Sequence, residues 1–259
     1  MISSPSVTVI IPYKNNLKLL FQTLKSIFKQ SYKNYFITII YDKNDKLDFY
    51  QIKIFLKRKY HKKLSSIKII CNKKNLGAGL SRNVGIKKCK TKYVAFLDSD
   101  DLWSKDKLKS QIDFMEKNKL LFSHTSYNII NERNKIISYR AARAKIFYEE
   151  LLKSCDIGLS TVMINTNFLK KNNYYFANIQ TKEDFILWLK ISADIGCLNG
   201  FNRKLTHYRK TSNSLSSNKI TSIINGFRVY RNYMKFNILK SLYFLFILSK
   251  NSIRKNFFS

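Results

Sequence analysis

Three of the four residues at positions 98–101 are carboxylates: Asp98-Ser99-Asp100-Asp101 follows the apolar run 93–97 without a spacer. Negative charges packed this closely resist ionisation unless a cation sits among them. Oxygen donors of this kind suit Mg²⁺ or Mn²⁺, which in turn bind diphosphate. Lys92 and its neighbours, facing solvent, do not supply that charge, so the expectation is an external ion. An acidic turn in which Ser99 or Asp101 caps the next helix is the alternative. Placement behind a buried strand favours the metal, with Asp101 expected to matter less than Asp100.

Two further stretches carry possible chemistry. Residues 75–85, NLGAGLSRNVG, put glycines ahead of a helical pattern. Backbone N–H groups there are placed to meet phosphate, and Arg82 adds a charge-assisted bond. The stretch is neither a Walker loop nor G-x-G-x-x-G, so Gly77 and Gly79 as plain turn residues stay an open reading. Glu183-Asp184 opens an amphipathic pattern and, on spacing alone, is an ordinary acidic first turn. His61, His124 and His207 are separated and lack ligand spacing. Cys71, Cys89, Cys155 and Cys197 include no C-x-x-C, which argues against zinc and for free thiols. Trp188 reads as core, while Trp103, beside the acids, can stack on a sugar or pack inside.

These residues need a scaffold. Residues 7–11 form a continuous apolar run ended by Pro12, as in a strand buried on both faces. Leu17, Leu20, Phe21, Leu24, Ile27 and Phe28 recur at helical spacing, with Asn15 or Asn16 as cap. Strands at 35–41, 67–71 and 93–97 alternate with helices at 47–57 and 80–88, and Ser104 is placed to cap a fourth helix. The pattern predicts βαβ units and a mostly parallel sheet with ligands at the strands' carboxyl ends. Asp42 and the 98–101 cluster both fall there. A hairpin around 131–135, a helix at 147–152, a strand at 161–164 and a helix at 183–195 follow.

Taken together, VTVIIPYKN, Gln30, NLGAGLSRNVGI, FLDSDDLW, TVMI and TKEDFILWLK resemble a family 2 glycosyltransferase of the GT-A fold. The likeness runs over about residues 7–219 and is greatest to bacterial enzymes of O-antigen and teichuronic-acid assembly, whose YR…NSLSSNK segment is similar to residues 208–219. It implies an α/β nucleotide-diphospho-sugar transferase fold, with a mostly parallel central sheet and helices on both faces, and inverting transfer from a UDP-sugar. By resemblance, Asp100 is the metal-binding acid, with Asp98 beside it near the ribose and metal. Asp42 contacts the base, Arg82 lies near the diphosphate, and Asp184 is the catalytic base. The sequence departs from the family at Tyr41 and at residues 43–45. The implied reaction moves a hexose, best glucose from UDP-glucose in a β-1,3 link, onto GlcNAc- or GalNAc-diphosphoundecaprenol. A galactosyltransferase of the same pathway is the alternative, and the cofactor is Mn²⁺ or Mg²⁺.

The 259 residues carry 48 Lys and Arg against 16 Asp and Glu, a formal charge of +32. With 45% hydrophobic and 14% aromatic residues, the chain is no disordered polycation. A basic nucleic-acid-binding protein fits the charge, but no recognition motif is visible and the acids are badly placed for phosphate, so no nucleic-acid partner is expected. A nucleotidyltransferase shares the acids and the sheet; Glu183-Asp184 favours sugar transfer. Residues 1–6 lack a signal-peptide pattern and no apolar stretch reaches ~18 residues. The expected organisation is a transferase domain at 1–219 and a basic, aromatic-rich helical tail at 220–259. That tail is expected to touch an anionic membrane surface, peripherally, at the cytoplasmic face of the bacterial inner membrane.

Overall fold

The computed structural model describes residues 4–43, 46–211 and 219–257. Residues 44 and 45, where the sequence departs from the family pattern, and 212–218, within the YR…NSLSSNK likeness, lie outside the described residues.

β1 (Val7–Tyr13) is buried along its whole length. Its parallel neighbours are β2 (Tyr35–Tyr41) and β4 (Tyr93–Phe96), and β2 pairs in parallel with β3 (Ile67–Cys71). The intervening helices are α1 (Leu17–Phe28), α2 (Leu47–Tyr60) and α3 (Ala78–Lys88). Alternation along β1 explains the layers: Val9 and Ile11 enter one buried cluster with Leu20 and Leu24 of α1, and Ile10 enters another with Ile86 of α3. A side chain at Gly85 would put Cβ 2.7 Å from Ile10 Cγ2, so glycine lets α3 close on β1. That approach fixes where Arg82, one turn earlier, can reach.

Beyond β4 the sheet turns mixed. β5 (Leu102–Trp103) leads into α4 (Lys107–Lys117), then come β6 (Phe122–Ile130), β7 (Ile136–Arg140), β8 (Lys145–Phe147), α5 (Tyr148–Leu151), β9 (Met163–Asn165), α6 (Thr166–Lys171), α7 (Glu183–Ile195) and β10 (Cys197–Arg209). The order is β3-β2-β1-β4-β9-β6-β10-β5, with β7 on β6 and β8 on β10. β9 runs antiparallel between β4 and β6, while β6 and β10 are parallel.

Three local expectations are corrected. Pro12 lies inside β1, opposite Ile40. Ile10 O accepts from Leu97 N, so Pro12 faces the same side, where β4 has already ended and no ladder donor is missed. Ser104 does not cap α4: its Oγ lies 3.2 Å from His207 Nε2, and its carbonyl accepts from Lys107 N and Gln30 Nε2. Residues 159–161 form a 3₁₀ turn before the strand at Met163–Asn165. Asn16 is the α1 cap, accepting from Leu19 N.

The tail comprises α8 (Lys219–Arg228), a π turn (Val229–Tyr233) and α9 (Ile238–Phe257). Val229, Tyr230, Phe244 and Leu248 join the cluster that holds Phe185 and Trp188. Another face of α9 points outward: Leu239 is 80% and Phe246 69% exposed, with Ile238, Leu242 and Ile253 on the same side. Among the described residues no helix is long and apolar enough to cross a membrane.

Candidate active site

One cleft takes in the carboxyl ends of β1, β2 and β4, the start of α7, and α8 and α9; Asp42, Arg82, Asp98, Asp100 and Asp184 all line it. These five residues come from four separate stretches of chain.

The acids after β4 form a tight turn, closed by Asp101 N donating to Asp98 O. Asp98 N donates to Ser160 Oγ at 3.0 Å. Asp101 is buried, its Oδ1 accepting from Arg209 N at 2.7 Å, and its carbonyl accepts from Thr23 Oγ1. Asp101 ties the turn to β10 and α1. Burial, Asp100 and Asp98 hold its carboxyl well above the usual range. Burial and then Asp98 push Asp100 up to about 6.

The chain itself brings two guanidiniums to the turn. Arg82, 3% exposed, reaches Asp98 Oδ1 with Nη2 at 2.6 Å and Glu183 Oε1 with Nη1 at 2.9 Å. Its neighbour Asn83 pins the backbone of Phe176 through both its N–H and its carbonyl. Arg209, from the end of β10, donates Nε to the Asp100 carbonyl at 2.7 Å and Nη2 to Gln22. Arg209 falls within the YR…NSLSSNK likeness but was given no role there, although an acid cluster at one strand end asks for a basic residue at another.

Asp42 is 3% exposed, and both its oxygens are engaged. Oδ1 accepts from Leu76 N and Asn72 Nδ2, and Oδ2 from Gly77 N, each at 2.8 Å. Within the 75–85 segment, the N–H groups of Leu76 and Gly77 therefore face Asp42. Gly77, at φ +83°, makes the turn that aims them.

Asp184 and Glu183 start α7 after Lys182, a non-glycine residue in the left-handed region at φ 71°. Glu183 takes the Arg82 ion pair. Asp184 joins no ion pair among the described residues; its Oδ1 accepts from Phe185 N. Burial, with Glu183 second, lifts the Asp184 carboxyl up to about 6. Two adjacent carboxylates thus have different neighbours, one locked to a cation and one left able to exchange a proton near neutrality.

The remaining candidates are structural. Trp103 is buried and donates Nε1 to Ser160 O, with Lys107 Nζ 5.1 Å from its ring, so it is unavailable for stacking on a sugar. Trp188 packs edge-on to Phe122 and Phe176. His124 is buried, and burial takes it down to about 4. The four cysteines form no disulfide among the described residues.

Among the described residues no three His, Cys, Asp or Glu side chains form a metal cage. Asp98 and Asp100 instead present a two-carboxylate edge to the cleft. Mg²⁺ or Mn²⁺ is held by such an edge when substrate phosphate and water complete its shell, so the donor set fits that class of ion.

Residues 8–210 match the family model Glycosyl transferase family 2. The chain is 30% identical to the putative teichuronic acid biosynthesis glycosyltransferase TuaG of Bacillus subtilis, over 97% of both chains. It is 32% identical, over 97% of its length and 95% of the relative's, to the UDP-Glc:alpha-D-GlcNAc-diphosphoundecaprenol beta-1,3-glucosyltransferase WfgD of Escherichia coli. An uncharacterized glycosyltransferase of Rickettsia conorii is 35% identical over 81% of this chain, which spans only 33% of that relative. Among solved structures, S. aureus TarS 1–349 in complex with UDP-GlcNAc superposes with a TM-score of 0.67 at 19% identity, over 93% of this chain and 70% of that one. The mannosyltransferase PcManGT from Pyrobaculum calidifontis, in complex with GDP-Man and Mn²⁺, gives 0.69 at 14%, over 94% and 70%. These two likenesses establish a shared fold.

Proposed function

This chain belongs to the family 2 glycosyltransferases and has their GT-A fold, and from that premise we propose that it is an inverting hexosyltransferase, moving glucose from UDP-glucose in a β-1,3 link onto a GlcNAc- or GalNAc-diphosphoundecaprenol acceptor. The observation that carries the reading is the split between Glu183, bound to Arg82, and Asp184, unpaired in the same cleft as Asp98 and Asp100. The WfgD relative, whose name specifies this donor and linkage, supports the choice of sugar.

Asp184 is the general base. As the acceptor oxygen attacks the anomeric carbon, Asp184 takes the hydroxyl proton. The new C–O bond forms as the bond to the diphosphate breaks, and the electron pair leaves with UDP. A single displacement turns an α-linked donor into a β product. Asp98 and Asp100 are the residues that would hold Mn²⁺ or Mg²⁺, which would supply positive charge against the departing diphosphate. Arg82 sets the direction of Asp98, and Asp42 keeps the loop at residues 75–77 in place beside the nucleotide.

The outward apolar stripe of α9, flanked by Lys240, Lys250 and Arg254, is the contact with an anionic membrane surface. Because the inner face of the tail shares a core with Trp188, substitutions on the outer face probe this contact better than truncation.

Radiolabelled UDP-glucose and UDP-galactose, offered with a synthetic GlcNAc-diphospholipid, test the reaction. Transfer of glucose with inversion, abolished by chelator and restored by Mn²⁺, is expected. Donor hydrolysis without transfer to any lipid diphosphate would overturn the acceptor, and full activity after verified metal removal would overturn the metal.

A further inference from the structure

The cleft does not stop at Asp184. Its wall continues through Thr181 into α8, where Asn225, 3% exposed, donates Nδ2 to Thr181 Oγ1 at 3.0 Å. Asn225 Oδ1 in turn accepts from Arg228 Nη1 at 3.5 Å. The Arg228 guanidinium is therefore linked, through one buried amide, to the segment that ends in the proposed base. Arg228 itself is exposed, and among the described residues no carboxylate pairs with it, unlike Arg82. One turn back on α8, Ile223 and Ile224 line the same cleft at 52% and 48% exposure. Ile224 and Arg228 stand four residues apart and so share a helix face.

A cation linked through Asn225 to the segment that leads into α7, and an open apolar surface one turn away on the same cleft, match a ligand with a charged head and an oily chain. We propose that Arg228 binds the diphosphate of a lipid-linked acceptor, with Ile223 and Ile224 receiving the first apolar units of its chain. The inference rests on the reading of the acceptor as a lipid diphosphate. It makes Arg228 a specificity-determining residue: the guanidinium fork meets phosphate oxygens in pairs, and the sugar next to that phosphate then lies within reach of Asp184. An anionic phospholipid headgroup offers similar chemistry, and the experiment separates the two sources.

Full-length protein is assayed with two short-chain acceptors carrying the same sugar, one through a diphosphate and one as a plain alkyl glycoside. The wild type should favour the diphosphate in kcat/KM. Arg228→Gln should shrink that preference about tenfold or more, the scale of lost charge-assisted hydrogen bonds, through the acceptor KM rather than the donor KM. Arg228→Lys, which keeps the charge but not the fork, should fall between. A preference undiminished in both variants overturns the subsite and leaves the glycosyltransferase reading standing. A wild type that favours the alkyl glycoside overturns the lipid-diphosphate reading itself. Flotation on phosphatidylglycerol vesicles supplies the last arm: loss of flotation in Arg228→Gln with acceptor preference intact assigns the residue to a headgroup and overturns the proposal.

Discussion

At the strand end of the cleft, Asp42, Asp98 and Asp101 are each held by donors from distant parts of the chain, whereas at the helical end Asp184 and Arg228 face the cleft with much less support. The first arrangement suits a ligand whose shape does not vary, since every carboxylate is aimed before anything binds. The second leaves groups able to exchange a proton or take up an anion. The order of the sheet follows the same division: parallel and regular from β3 to β4, mixed and bulged from β9 onward. Preorganisation is concentrated where a nucleotide is expected, and unpaired chemistry where the acceptor is expected.

The sharpest way to break this contrast is Asp184→Asn. An amide cannot take the proton, so turnover should drop by roughly 10²–10⁴ while calorimetry still registers UDP-sugar binding. Near wild-type turnover would pass the role to another acid. At the strand end, the effect should instead be structural. Arg82→Gln strands two partly buried carboxylates and should cost about 3 kcal/mol in urea denaturation. A loss below ~1 kcal/mol would mean that solvent already supports Asp98 and Glu183.

Acidity sharpens the comparison further. With the Asp184 carboxyl at about 6, kcat should decline towards tenfold per pH unit below that value, because only the unprotonated base works. The folding consequence has a definite sign. A folded-state value above the ordinary 3.8 means the native chain holds this proton more tightly than the unfolded one. Stability from this group is thus present at low pH and lost as pH rises through about 4 to 6. Asp184→Asn should accordingly melt higher than wild type at pH 8, with the difference closing near pH 4; a lower melting temperature at pH 8 would contradict the burial of this carboxyl. The smallest effect is expected on the outer face of α9: Lys250→Ala should weaken binding to anionic vesicles about fivefold, roughly 1 kcal/mol. Unchanged flotation in that variant would exclude Lys250 from the contact.

Much of the strand end was legible because local patterns encode it. Residues 93–101 announce a buried strand and the acids that end it, and residues 183–195 carry a helix that the structure reproduces to the residue. Contacts between distant residues were not legible. Nothing near Asp42 tells that its carboxylate receives the N–H groups of Leu76 and Gly77, and nothing near residue 75 tells that its amides are taken. β10 was missed for a related reason. CLNGFNRKLTHYR carries no clear strand signal, with Gly200, Asn202, Arg203 and Lys204 interrupting any alternation, and it becomes a strand by pairing with β6 across two register shifts. The role of Arg209, at its end, was missed with it.

Arg82 touches both ends of the cleft at once, with one nitrogen on Asp98 and another on Glu183. A shared counter-charge of this kind makes the two acids unequal tenants of one guanidinium: weakening either hold strengthens the other. Substitutions at Asp98 and Glu183 should therefore fail to add in a double-mutant cycle, despite their separation of 85 positions in the chain. On the proposed assignment of the two ends, donor preference and acceptor chemistry would be coupled through this one guanidinium, and a library that varies one side while holding the other fixed would sample only part of what the scaffold allows.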